Sequence, residues 1–283
     1  MATTVHPERI EAGRRNFTRV LVGVDGSQQS LEAARQAALL QDPDGQLTLF
    51  SAWDIAPVIG GTGGHVPYYY DEDLQRATAE KSLAAAGDYV AAYTAPTGKL
   101  VRGTAVAQLL GEIERDQDTL IAVGSSGTGR LLGIVEGSVA SAIIHRSPCS
   151  VLVARPAKNE FPRRIVVGVD GSVESAAAYA ASRYLAERFD AELRTLVARG
   201  GKNVNERLVV AITEGEHEDD DDTPAEALTH AAEYADLVVV GSRGLHGLSA
   251  LGSVSERVAH TAACSALVVR EPAWQRIAAE LGR

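Results

Sequence analysis

The hexapeptide Val-Gly-Val-Asp-Gly-Ser occurs twice in this chain, at residues 22–27 and again at 167–172. An internal repeat constrains the fold more than any local propensity does, because one supersecondary plan must be used twice. A second repeated feature follows each copy at a distance. Residues 120–123 and 238–240 are short apolar runs ending in glycine, at Gly124 and Gly241, and they read as buried strands. Glycine-rich stretches come next, followed by Gly137-Ser138 and Gly252-Ser253, each opening a run that continues as a helix. Strand, glycine loop and helix start together make a phosphate-binding arrangement. Glycine lets main-chain N–H groups approach an anion, and the free N–H groups and dipole of a helix start favour negative charge. Ser138 either caps its helix or donates its hydroxyl to a phosphate.

Between these landmarks, strands alternate with helices. Residues 19–24, 46–53, 100–101, 120–123 and 150–154 read as strands. Residues 27–40, 71–93, 105–115 and 139–145 read as helices. The 55–70 stretch, with its Gly-Gly-Thr-Gly-Gly run, reads as a lid or variable loop. Such alternation implies a parallel sheet with helices on both faces, and ligands then bind outside the carboxyl ends of the strands. Asp25, the Trp53 region and the glycine loop all follow strands, so they share that edge.

The domain plan follows from the repeat. Residues 1–156 form one α/β domain, 157–162 a linker, 163–272 a second and shortened domain, and 273–283 a helical tail with Trp274, Ile277, Ala278 and Leu281 at helical spacing. From Asp170 to Gly252 the chain is about thirty residues shorter than from Asp25 to Gly137. Residues 206–212 are expected to be the next strand after 193–198, with the long loop and alanine-rich helix of the first half missing. The acidic run 214–222 reads as a solvated loop before the helix at Pro224, with a weak divalent-metal site as the alternative.

Composition excludes several classes. The 283 residues carry a formal net charge of -10, which argues against nucleic-acid binding and against attraction to anionic membranes. No apolar run reaches membrane-spanning length, and residues 1–17 lack the apolar centre of a signal peptide, so a cytoplasmic location is expected. Cys149 and Cys264 each precede the last strand of a half and read as small buried residues rather than a disulfide. No Walker-type G-x-x-x-x-G-K-[ST] and no nucleophile elbow is present. His65, His145, His246 and His260 are scattered, which argues against a metal pattern. His145 and His260 stand at matching positions in the two halves and read as structural.

The pattern G-x2-G-x9-G-S at Gly124, Gly127 and Gly137-Ser138, with Val-Gly-Val-Asp-Gly-Ser at the first strand, resembles the nucleotide motif of the universal stress protein family. The second copy, Gly241-Ser242-Arg243-Gly244 to Gly252-Ser253, makes the chain similar to tandem members. The resemblance implies two tandem five-stranded parallel α/β/α sandwich domains of the adenine nucleotide alpha hydrolase-like type. It also implies that the fifth strands, 151–153 and 266–268, meet across a two-fold and pair the halves in an intramolecular pseudo-dimer, with further association as a homodimer. It implies ATP with Mg²⁺ as ligand. The phosphates would lie on Gly124, Gly127, Gly137, Ser138 and Val139 in the first half, and on Gly241, Arg243, Gly244, Gly252, Ser253 and Val254 in the second. Asp25 and Asp170 would meet the ribose or the magnesium. Val24, Ala52 and Val123, with Val169, Ala198 and Val240, would line the adenine pockets. Read without the resemblance, the aspartates are equally turn residues or partners of a ribose or magnesium, and the apolar positions are core or pocket lining.

Each half departs from the motif. Glu136 puts a carboxylate beside the first phosphate site, with Arg130 or magnesium to compensate. Seven residues rather than nine separate Gly244 from Gly252, which leaves fewer amides for three phosphates. The first half is therefore favoured, with AMP an alternative ligand. The leading function is a non-catalytic, nucleotide-linked stress-response protein. A slow ATPase with Asp25 as its base, and a nucleotide-free interaction protein, are the alternatives.

Overall fold

The structure is a computed structural model, and it describes residues 17–54, 71–113, 119–125, 138–157, 160–200, 204–242 and 253–270. The expected loop at 55–70, residues 1–16 and the expected tail helix at 273–283 lie outside these residues. The first half runs β1 (Arg19–Gly23), α1 (Gln28–Leu40), β2 (Gln46–Trp53), α2 (Glu72–Val90), β3 (Thr97–Arg102), α3 (Ala105–Ile113), β4 (Thr119–Gly124), α4 (Ser138–Arg146) and β5 (Ser150–Ala154). The second runs β6 (Arg164–Gly168), α5 (Val173–Phe189), β7 (Glu192–Ala198), α6 (Glu206–Thr213), β8 (Glu218–Asp220), α7 (Pro224–Ala231), β9 (Leu237–Gly241), α8 (Ser253–Thr261) and β10 (Ser265–Val269).

The strands form one ten-stranded sheet in the order β3-β2-β1-β4-β5-β10-β9-β6-β7-β8. Pairing is parallel within each half, and β5 meets β10 antiparallel, with Val151↔Val268, Leu152↔Leu267 and Val153↔Ala266. That is the expected pairing of the fifth strands. Every residue of both strands is buried, so each is the cover that the other's apolar edge requires. Side chains alternate across the sheet. Val20, Val22, Leu120 and Leu152 pack under α1, α2 and α5, while Leu21, Ile121, Val151 and Val153 pack under α3, α4, α7 and α8. On each face, residues of both halves belong to one core. Phe161, inside the expected linker, is itself 4% exposed and buried in that core.

Local chemistry explains the helix starts. Ser27 accepts from Ser30 N at 3.1 Å and Ser172 from Ser175 N at 3.1 Å, so each repeat ends in its own N-cap. Asp71 caps α2 through Leu74 N at 3.0 Å.

The second half corrects one sequence reading. Residues 206–212 are not a strand but helix α6. Val209 and Thr213, one turn apart, are both buried, while Val210 is 52% exposed, which is a helical pattern and not an alternating one. Asn205 caps it through Leu208 N at 3.3 Å. The strand lies instead in the acidic run. β8 pairs with β7 in the register Leu196↔Glu218, Val197↔Asp219 and Ala198↔Asp220. An edge strand needs only backbone bonds on one side, and carboxylates facing water also block further pairing. Arg194 bonds Glu218 at 2.6 Å and Arg199 reaches Asp219 at 2.7 Å, so the run is tied down rather than a free loop. The second half therefore keeps every element of the first. It is shorter because α6 has 8 residues where α2 has 19, and because only a few residues connect β7 to α6.

Candidate functional site

The topology selects two positions. From β1 the chain moves outward to β2 and β3, then returns to β4 on the other side of β1. The carboxyl ends of β1 and β4 thus flank a point where strand order reverses, the usual crevice for a ligand in an open α/β sheet. β6 and β9 flank the equivalent point in the second half.

The repeated turn sits at each crevice. Asp25 Oδ1 accepts from Ser27 N at 3.0 Å and from Ser27 Oγ at 2.6 Å. Asp170 Oδ1 accepts from Ser172 N at 2.9 Å. Both aspartates are exposed at the sheet edge. Gly26 and Gly171 share φ +80°, which only glycine adopts without strain and which turns the chain from strand into helix. A carboxylate has about four acceptor positions, so holding a turn through one oxygen is compatible with meeting a ligand.

The two crevices differ in what leans on the turn. A Cβ at Gly26 would meet the Ser82 hydroxyl of α2 at 2.8 Å. A Cβ at Gly171 would meet the Asn205 carbonyl at 2.5 Å, and Asn205 N donates to the Asp170 carbonyl at 2.9 Å. Backbone at the start of α6 therefore closes on the second turn, where the nearest described neighbour of the first is Ser82, hydroxyl first. Two strands out from the first crevice, at the paired ends of β3 and β2, the Arg102 guanidinium lies 5.4 Å from the Trp53 ring and 3.8 Å from Glu72. That cation at a strand end was not singled out from sequence, and the strand-end position of Arg102 is the signal that could have found it.

Gly124 and Gly241 have a packing reason to be glycine. A Cβ at Gly124 would come within 2.8 Å of Gln29 backbone in the first turn of α1, and one at Gly241 within 2.1 Å of the Glu174 carbonyl in α5. The apolar positions divide between the faces. Val24 and Val169 belong to the core under α1 and α5, whereas Val123, Ala198 and Val240 belong to the opposite one. Ala52 is half-buried. Ser138 opens α4 and is exposed, with Val139 half-buried beside it, and Ser253 and Val254 open α8. Gly127, Arg130, Glu136, Gly137, Arg243, Gly244 and Gly252 lie outside the described residues. A cavity of about 420 Å³ lined by Tyr179, Arg183, Arg194 and His217 lies at the starting ends of β7 and β8, away from both crevices.

Two further residues had no sequence signal. Arg155 and Arg270, each just past a fifth strand, reach across the β5–β10 seam. Arg270 Nη2 donates to Ile144 O at 2.5 Å and Nη1 to Ser147 O, closing the end of α4. Arg155 Nη2 donates to Ala259 O at 2.7 Å and His260 O at 3.0 Å, closing the end of α8. Each half thus caps a helix of the other. Burial pushes the Arg270 guanidinium down to about 10, so it stays charged at neutral pH.

The cysteines are free and buried, and burial pushes each thiol up to about 11. Unfolded thiols ionise near pH 8.5. Between about pH 9 and 10 the unfolded chain therefore releases thiol protons that the native chain keeps. Stability must fall as pH rises, by up to about 1.4 kcal/mol per pH unit for each thiol. Urea unfolding across this range is expected to show that slope, and Cys149→Ala with Cys264→Ala to flatten it.

A tandem, doubly wound α/β protein with a repeated Asp-Gly-Ser turn at each switch point is the class that the fold defines. The chain belongs to the universal stress protein family, which it matches over residues 16–155 and 198–270. A universal stress protein of Mycobacterium tuberculosis is 32% identical over 206 residues, covering 61% of this chain and 68% of the relative. Another from that organism is 29% identical over 293 residues, covering 89% and 97%. The crystal structure of a universal stress protein from Archaeoglobus fulgidus matches with a TM-score of 0.67 at 20% identity, over 90% of this chain and 98% of that one. Among the described residues, no helix is long and apolar enough to cross a membrane.

Proposed function

We propose that this chain is a nucleotide-linked regulatory protein of the stress response that binds ATP with Mg²⁺ at the crevice of its first half. The Asp25-Gly26-Ser27 turn carries this reading: it sits at a switch point and presents an exposed carboxylate, and the described atoms nearest Gly26 belong to Ser82, against a backbone carbonyl at 2.5 Å from the matching Gly171 position. The donors suit the group. The Asp25 carboxylate and Ser138 hydroxyl are hard oxygen ligands of the kind Mg²⁺ takes. Triphosphate then lies along the 124–139 stretch. In this reading the domains are 1–156 and 163–272, joined by 157–162 and followed by the 273–283 tail. The two halves act as an intramolecular pseudo-dimer, two chains form a homodimer, and the protein is cytoplasmic. ATP acts by binding one conformation better and stabilising it.

A second reading has a specific observation behind it. Closure of the second turn by Asn205 favours loss of that pocket, and loss of the first as well would leave a nucleotide-free protein that acts through partners. Native mass spectrometry and thermal melts with Mg-ATP discriminate between the two. One bound nucleotide per chain is expected, with stabilisation of about 2.7 kcal/mol at a hundredfold excess over Kd. Asp25→Ala should abolish the bound mass while Asp170→Ala keeps it. No bound mass at millimolar Mg-ATP removes the nucleotide reading, and phosphate release above a Gly127→Ala control converts it to an ATPase.

A further inference from the structure

The repeat places one histidine near the end of α4 and one near the end of α8, and the antiparallel β5–β10 seam brings those two helices side by side. His145 and His260 thereby become neighbours, with ring centroids 6.1 Å apart and planes tilted by 38°. Glu256 lies one helical turn before His260, on the same face of α8. Its Oε1 stands 3.1 Å from His145 Nε2. One donor atom from each of the three residues falls within 4.8 Å of the others. From this we propose that His145, Glu256 and His260 form a transition-metal site of the zinc class, bridging the two halves at the α4–α8 seam.

The chemistry fits a borderline dication. Two imidazoles and one carboxylate are the donors that zinc takes in sites with three protein ligands, which leave a fourth position to water. Zinc bonds of 2.0–2.1 Å on a tetrahedron place donors about 3.3 Å apart. The His145–Glu256 pair already meets that spacing. Closing a gap of at most 4.8 Å to the same value takes a shift of about 1.5 Å, which rotation of half-exposed side chains supplies. Mg²⁺ and Ca²⁺ are poor candidates, because they prefer oxygen ligands throughout.

The local charges set the requirement for the carboxylate. Arg155 and Arg270 reach carbonyls of these same helix ends and oppose an added cation. Glu256 offsets part of that charge. The first half has Ser141 at the position matching Glu256, so the site has a single carboxylate and is not symmetric. The duplication thus supplies the paired histidines, and divergence of the second half supplies the anion. A metal here clamps α4 to α8 and adds a link between the halves that is independent of the nucleotide crevices.

The test uses the untagged full chain. Zinc titration by calorimetry, with Co²⁺ as a spectroscopic probe, is expected to show one ion per chain and the intense visible bands of four-coordinate cobalt. His145→Ala, His260→Ala and Glu256→Gln should each weaken zinc by about 10–100-fold or more. His217→Ala, at the histidine beside the β7–β8 cavity, should leave it unchanged. Each variant is compared with its own metal-free melt, and zinc should raise Tm only where the triad is intact. Absence of zinc binding at a several-fold excess over protein overturns the proposal. So does zinc affinity that survives both seam histidine substitutions, which would place the ion elsewhere.

Discussion

Arg270→Ala is expected to cost about 3–5 kcal/mol of stability, among the largest single effects available outside the aliphatic core. The side chain is 3% exposed and donates to Ile144 O and Ser147 O at the end of α4, in the half to which it does not belong. Truncation leaves those carbonyls without their donor, and each buried orphan costs about 1–3 kcal/mol. It also removes the packed stem of the arginine. Arg270→Lys should recover little, because an ammonium is a point charge and cannot span both carbonyls as a planar fork does. Arg155→Ala should behave alike through Ala259 O and His260 O. Urea unfolding monitored by circular dichroism measures the loss. If Arg270→Ala costs under about 1 kcal/mol, water replaces the guanidinium and the cross-seam cap contributes little.

Gly241→Ala is expected to be comparably damaging, by about 2–4 kcal/mol. The added Cβ falls 2.1 Å from the Glu174 carbonyl oxygen and 2.3 Å from its carbon, so α5 has to move away from β9. No flexible side chain can yield in place of that backbone. Gly111→Ala is the matched control. It lies in α3 with nothing within 4 Å of the new methyl, so it should stabilise by about 0.5–1 kcal/mol through helix propensity. Opposite signs from the same chemical change would show that close helix–strand approach, rather than phosphate binding, is what Gly241 is required for. Melts without nucleotide make the distinction.

This last point bears on how far the candidate site could be read from sequence. Glycine at 124 and 241 signals a backbone that something approaches closely, and both an anion and a helix meet that description. The coordinates show the helix, at Gln29 and Glu174. The aspartates are similar: a carboxylate two residues before an N-cap serine is a turn former on local grounds, and the observed bonds to Ser27 and Ser172 have that form. The residues that would contact phosphate most directly, Gly127, Gly137, Gly244 and Gly252, lie outside the described residues, so their roles rest on the motif.

Periodicity and repetition lie along the chain, and what depends on them was legible in the sequence alone: the duplication, the strand–helix alternation and the Asp-Gly-Ser turns after β1 and β6. What depends on neighbours in space was decided only by the tertiary structure. Residues 206–212 carry an apolar run that suits either a strand or a short helix, and packing of Val209 and Thr213 decided for helix. β8 has no hydrophobic signature, because an edge strand is held by backbone bonds to β7 and by arginines on its rim. Arg155 and Arg270 reach partners more than a hundred positions away, and His145 meets Glu256 across a similar span. Such contacts leave no local pattern. They arise because two copies of one domain, joined through antiparallel fifth strands, bring the same face of each repeat together.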